Sequence, residues 1–200
     1  MIESNFKLTI KGQALVLIDW ANIRNQQKKL GWEIDLEKLY QWLLSCEQIE
    51  KAMFFYGYEN NEKSKKFLKK IEEIGFEVVT KEVKYLGKQK NPKCDFDTEI
   101  ACEIILNQNK YRNIVLFSGD GDFKYPLQEF LLAGKKKKIF IISYRGSIGK
   151  EIWDLQKQDS QKTAIVSIIK TKEALEKRTS RPHSYRKSQQ GDICHQRQNE

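Results

Sequence analysis

The chain has 200 residues, 40% of them hydrophobic, and its 36 Lys and Arg against 27 Asp and Glu leave a formal charge of +9 at pH 7. That hydrophobic share supports a packed core and excludes a chain disordered throughout; a mean hydropathy of −0.65, with no apolar run near ~18 residues, argues against a membrane-spanning helix. Cys46, Cys94, Cys102 and Cys194 show no CxxC spacing and both histidines, His183 and His195, fall near the C-terminus, which argues against a structural zinc site, a His-based triad and a disulfide scaffold. The opening segment MIESNFKLTIKG has no basic stretch followed by a long apolar one, so a cytoplasmic protein is the expectation. The positive surplus points to a polyanion, nucleic acid first among them.

Ala14–Ile18 is a short continuous apolar run ending at Asp19, the pattern of a strand covered on both faces. Asp35 is placed to cap a helix whose stripe is Leu36, Leu39, Tyr40, Leu43 and Leu44. Ala52–Tyr56 is a second strand. Phe67, Leu68, Ile71 and Ile74 mark a helix closed by Gly75, and Phe76–Thr80 is a third strand. After a polar loop around Gly87–Pro92, Ile100, Ala101, Ile104 and Ile105 form another helical face, and Ile114–Phe117 is a fourth strand. Pro126 suits a first helical turn continued by Leu127, Phe130 and Leu131; Ile139–Ile142 is a fifth strand. Ile148–Leu155 reads as a final helix, and Thr163–Ile169 as a sixth strand or a helix start.

Strands that alternate with helices and are apolar throughout predict an α/β fold, a three-layer Rossmann-like sandwich on a mostly parallel sheet of five or six strands. The expected strand order is 3-2-1-4-5, by analogy. A domain over residues 1–170 is expected, followed at 171–200 by a basic, disordered tail rich in Lys, Arg, Gln and Ser.

Within this basic chain the carboxylates fall where parallel sheets build sites, beyond the carboxyl ends of strands. Asp19 ends the first strand, Asp120 and Asp122 follow the fourth in Ser118–Asp122 (SGDGD), and Asp95 and Asp97 stand at a helix entry. If strands one and four are neighbours, Asp19 and Asp120 share a crevice. Packed carboxylates repel, and hard oxygen donors suit Mg²⁺ or Mn²⁺. Phosphodiester hydrolysis is the chemistry that fits. Each residue also has a plainer reading: an Asp after a strand caps a helix, and an Asp at a helix entry complements the dipole.

Leu15–Asn22 (LVLIDWAN), Lys93–Glu103 (KCDFDTEIACE) and Ile114–Phe123 (IVLFSGDGDF) resemble the NYN domain family, a branch of the PIN-like nucleases, in family order and over about Leu15 to Leu155. The resemblance implies a PIN-like fold and a metal-dependent endoribonuclease site with Mg²⁺ or Mn²⁺ held by Asp19, Asp97, Asp120 and Asp122. It implies supporting roles for Asn22 and Ser118. Asp95 rivals Asp97 for the helix-entry role, and Glu103 falls where many members carry a further aspartate. The family's acidic residue in the final helix has no firm match here, Asp154 fitting only loosely.

RNA is the expected partner. Arg24, Lys28 and Lys29, then Lys88, Lys90 and Lys93, and Arg145 after the fifth strand are candidate phosphate contacts; Lys135–Lys138 enters a strand and so belongs to the opposite end of the sheet. Trp20 is read as core or as a base-stacking ring. A catalytically silent RNA-binding adaptor is the alternative function, and a second copy of the chain or a restraining protein are the partners left open. A phosphatase using Asp19 as nucleophile is disfavoured, because Ala21 stands where the second aspartate of that pattern belongs.

Overall fold

The computed structural model describes residues 6–86 and 91–177. In chain order the elements are β1 (Ala14–Asp19), α1 (Trp20–Leu30), α2 (Leu36–Leu44), β2 (Ile49–Tyr58), α3 (Glu62–Ile74), β3 (Glu77–Glu82), a hairpin of β4 (Lys84–Leu86) and β5 (Asn91–Lys93), α4 (Asp97–Leu106), β6 (Asn113–Phe117), α5 (Lys124–Leu132), β7 (Lys138–Ser143), α6 (Lys150–Gln158), β8 (Thr163–Ser167) and α7 (Lys172–Leu175). Six strands form one sheet in the order β3-β2-β1-β6-β7-β8, every neighbouring pair parallel. The expected order therefore holds, with Thr163–Ser167 added as the sixth strand at one edge. Among the described residues no helix is long and apolar enough to cross a membrane.

Side-chain alternation along the central strands divides the core into two layers. Ala14, Val16 and Ile18 of β1, with Val115 and Phe117 of β6, face Ile23, Leu39, Leu43 and Ile71 of α1–α3. Leu15 and Leu17, with Ile114 and Leu116, face Ile100, Ile104, Leu127, Phe130, Ile152 and Leu155 of α4–α6. Both central strands are buried along their whole length, so their apolar runs show no alternation in sequence.

The packed unit extends past the boundary expected at residue 170. Leu175 is fully buried, its carbonyl accepts from Asp35 N–H at 2.8 Å, and Lys177 N–H donates to the Glu33 carbonyl at 2.8 Å. The basic segment from residue 178, His183, His195 and Cys194 lie outside the described residues.

Helix α1 is absent from the sequence expectation. Its buried residues are Trp20, Ile23 and Gln26, with Leu30 partly buried at its end, too few apolar positions to mark a stripe. Trp20 resolves as core: it is buried, with Phe54 at 5.2 Å and Phe67 at 6.0 Å between ring centroids.

Candidate active site

Asp19 is the last residue of β1 and the N-cap of α1, so the strand end and the helix start fix it together. Its Oδ1 accepts from Asn22 N–H at 3.1 Å and its Oδ2 from Ser118 Oγ at 3.0 Å. The group is 8% exposed, and burial pushes its carboxyl above the ordinary value of 3.8 against the lowering effect of those two donors, with Asp120 raising it further. The cap reading and the site reading of this residue are thus the same geometry.

β6 lies beside β1 in register from Ala14↔Asn113 to Ile18↔Phe117, which brings the segment after Phe117 next to Asp19. Ser118 Oγ accepts from Asp120 N–H at 3.2 Å while donating to Asp19, and Asp120 Oδ1 accepts from Asp122 N–H at 3.1 Å. This loop hydrogen bonding turns Gly121–Phe123 into a 3-10 turn and sets Asp120 and Asp122 at the carboxyl end of the sheet.

Asp97 opens α4 and looks into the same crevice. Burial raises its carboxyl to about 6, and the charges of Asp120, Asp19, Asp95 and Asp122 push in the same direction. No described Lys or Arg forms an ion pair with Asp19, Asp97, Asp120 or Asp122. Among the described residues no three His, Cys, Asp or Glu side chains converge tightly enough to hold a metal ion by themselves.

The remaining expected residues divide. Asn22 sits on the first turn of α1 with its Oδ1 accepting from Gly119 N–H at 3.1 Å. Asp95 is exposed, and its carbonyl accepts from Lys81 Nζ at 3.1 Å. Glu103 is not brought to the crevice: it lies on the second turn of α4 beyond Asp97, where its carboxylate accepts from the Asn107 side chain at 2.9 Å. Arg24, Lys28 and Lys29 are exposed on α1, and Lys29 Nζ reaches Ser147 Oγ at 3.3 Å. Arg145 follows β7 at the crevice end of the sheet, with its guanidinium 4.7 Å above the Trp153 ring. Lys93 ends β5, while Lys88 and Lys90 lie outside the described residues. Lys137, at the opposite end, is buried over Phe130 and donates to the carbonyls of Gln108 and Tyr111, a structural role.

Two residues at the crevice were not singled out by sequence. Gln26 is buried one turn beyond Asn22 and donates to its Oδ1 at 2.6 Å. A buried Gln on a helix without an apolar stripe leaves no mark in the pattern, and only its i+4 spacing from Asn22 could have pointed to it. Glu151, in the first turn of α6, lays a carboxylate oxygen against Gly121 and Gly149, whereas Asp154 pairs with Lys157 at 3.8 Å on the same helix.

The NYN domain profile matches residues 13–165. The low amplitude and bright protein LabA of Synechococcus elongatus is 28% identical over 174 residues, 84% of this chain and 92% of that protein. A crystal structure of a protein of unknown function, VPA0982, from Vibrio parahaemolyticus shares the fold with a TM-score of 0.65 at 18% identity, over 86% of this chain and 99% of the other. The matched span runs from the start of β1 into β8 and contains every carboxylate of the crevice, and the chain belongs to the NYN domain family.

Proposed function

We propose that the protein is a metal-dependent ribonuclease that hydrolyses RNA phosphodiester bonds at the crevice between β1, β6 and α4. One observation carries the reading: carboxylates of β1, of the loop after β6 and of α4 gather at one end of the sheet with no ion pair to a described Lys or Arg, and burial, with those charges adding to it, raises Asp97 to about 6. A divalent cation fits that donor set, which is all oxygen and contains no His or Cys. Mg²⁺ takes one or two carboxylates and keeps several waters, so wide spacing of the carboxylates suits it. Asp19, Asp97, Asp120 and Asp122 would hold the ion. When bound, the cation neutralises charge on the phosphate and acidifies the attacking water.

The chain's own groups do the positioning. Ser118 and the Asn22 main chain hold Asp19 in one rotamer, so its carboxylate is pre-aligned without a charged partner. Neutral donors are the right choice here, because they orient an oxygen without drawing a counter-charge into the cluster. Arg24, Lys28, Lys93 and Arg145 supply the phosphate contacts, and membership of a family of PIN-like nuclease type agrees with an RNA substrate. That the cut is endonucleolytic rests on the family resemblance alone.

The alternative is an RNA-binding adaptor without turnover. Incubation of labelled single-stranded RNA, structured RNA and DNA with Mg²⁺, Mn²⁺ or EDTA separates the two. The nuclease reading expects RNA cleavage that EDTA abolishes and that Asp19→Asn or Asp120→Asn reduces by ~10²-fold or more. Cleavage surviving in EDTA overturns it, and binding without cleavage in every metal establishes the adaptor.

A further inference from the structure

Gln26 is 2% exposed, and both ends of its carboxamide are used. Oε1 accepts from the Tyr144 main-chain N–H at 2.7 Å, while Nε2 donates to Asn22 Oδ1 at 2.6 Å and to Ser143 Oγ at 2.8 Å. Asn22 Oδ1 accepts a second hydrogen bond, from Gly119 N–H at 3.1 Å. A backbone N–H can only donate. With Tyr144 at one end and Gly119 at the other, the two carboxamides have a single consistent polarity. Both oxygens are committed, and Asn22 Nδ2 is the one amide group left without a hydrogen-bond partner among the described residues.

The relay also ties α1 to the loop after β6 and to the segment at the end of β7, at the carboxyl end of the sheet. Asn22 and Gln26 stand one turn apart on α1, directly behind Asp19; Gly119 precedes Asp120; Ser143 ends β7 and Tyr144 follows it. Asn22 itself donates its main-chain N–H to Asp19 Oδ1. Side chains one turn apart on a helix are neighbours, so one can set the rotamer of the next.

We propose that Gln26 is a positioning residue for the nuclease: by holding the Asn22 oxygen inward it turns the Asn22 NH₂ toward the crevice beside Asp19, where it donates to a non-bridging oxygen of the RNA phosphate. This rests on the nuclease reading above. A carboxamide pair does this where a Lys or Arg would pair with the carboxylates and neutralise the cluster. Gln26→Glu is the discriminating variant, because it keeps size and the Tyr144 contact but sets an acceptor against Asn22 Oδ1.

The experiment compares wild type, Gln26→Glu, Asn22→Ala and the double variant in RNA cleavage and in Mn²⁺ binding. Loss of an outer partner that aims a functional group costs ~10–100-fold, so Gln26→Glu should lower kcat by that amount with KM and Mn²⁺ affinity within ~3-fold. In the Asn22→Ala background the same change should cost less than ~3-fold more, since the group it aims is gone. Full activity of Gln26→Glu, losses that multiply in the double variant, or a loss appearing in Mn²⁺ affinity each overturn the proposal. If Gln26→Glu gives no cooperative melt, Gln26→Met, which keeps the volume, is measured in its place. If wild type cleaves no RNA in any metal, the nuclease reading fails, and the relay is decided by NMR. The Asn22 side-chain ¹⁵N–¹H pair, assigned by its loss in Asn22→Ala, should shift in the Gln26 variant; an unmoved pair overturns the relay.

Discussion

Burial and four neighbouring carboxylates raise Asp97 from 3.8 to about 6, and that shift has a sign for stability. The folded state disfavours the charged form, so the group costs nothing below about pH 4, where both states are protonated. The cost grows as pH rises to about 6 and is constant above it. Asp97→Asn should therefore stabilise the metal-free protein at pH 7 by about 1 kcal/mol, a figure reduced for solvent screening of a partly exposed group, and leave it unchanged near pH 4. Asp19 is raised for the same main reason, burial, and adds in the same direction. Thermal melts across that pH range check the sign. Added Mn²⁺ should stabilise wild type more than Asp97→Asn, because a cation that binds only the folded state relieves the repulsion.

At the scale of elements, the crevice depends on how closely the loop after β6 approaches α6. Gly119 accepts from Gly149 N–H at 2.8 Å, and a Cβ at Gly119 would strike the Ser147 carbonyl and lie 2.6 Å from Ser143 Oγ. A Cβ at Gly121 would meet only the tip of Glu151 and its stem, a flexible side chain. The two glycines of SGDGD are thus unequal. Gly119→Ala should destabilise by ~1–3 kcal/mol, since backbone must move, whereas Gly121→Ala should cost less than ~1 kcal/mol as Glu151 swings away. Chemical denaturation of the two variants tests the order, and equal losses would place the strain elsewhere. Among elements, the long buried strands and the helices with apolar stripes were legible in sequence. Helix α1 and the β4–β5 hairpin were not, because one carries its contacts on a polar Gln and the other consists of two three-residue strands.

For the whole molecule the net +9 and the acidic crevice are two separate facts. Lys and Arg spread over the surface give a long-range attraction to a phosphate chain, and that attraction is screened by salt. RNA affinity of Asp120→Asn, measured without turnover, should fall steeply between ~50 and ~200 mM salt, by ~10-fold or more if several phosphates are contacted. Cleavage at fixed low salt should instead follow the concentration of divalent metal. An affinity insensitive to salt would remove the basic surface from the account.

Sequence alone determined the layering, because a run such as Ala14–Ile18 can be buried on both faces only inside a helix-covered parallel sheet. It also determined which carboxylates lie at strand ends, since Asp19 directly follows the apolar run Ala14–Ile18 and Asp120 comes three residues after Phe117 ends another. Tertiary structure decided which of them meet. Asp97 rather than Asp95 turns inward, and Glu103 is carried away along α4, because the rotation and rise of a helix place side chains only once its packing face is set. It also decided the role of Gln26, whose partners Ser143 and Tyr144 lie more than a hundred residues away in the chain. A hydrogen bond across that distance has no local signature, and it appears only when α1 and the end of β7 are folded against one another.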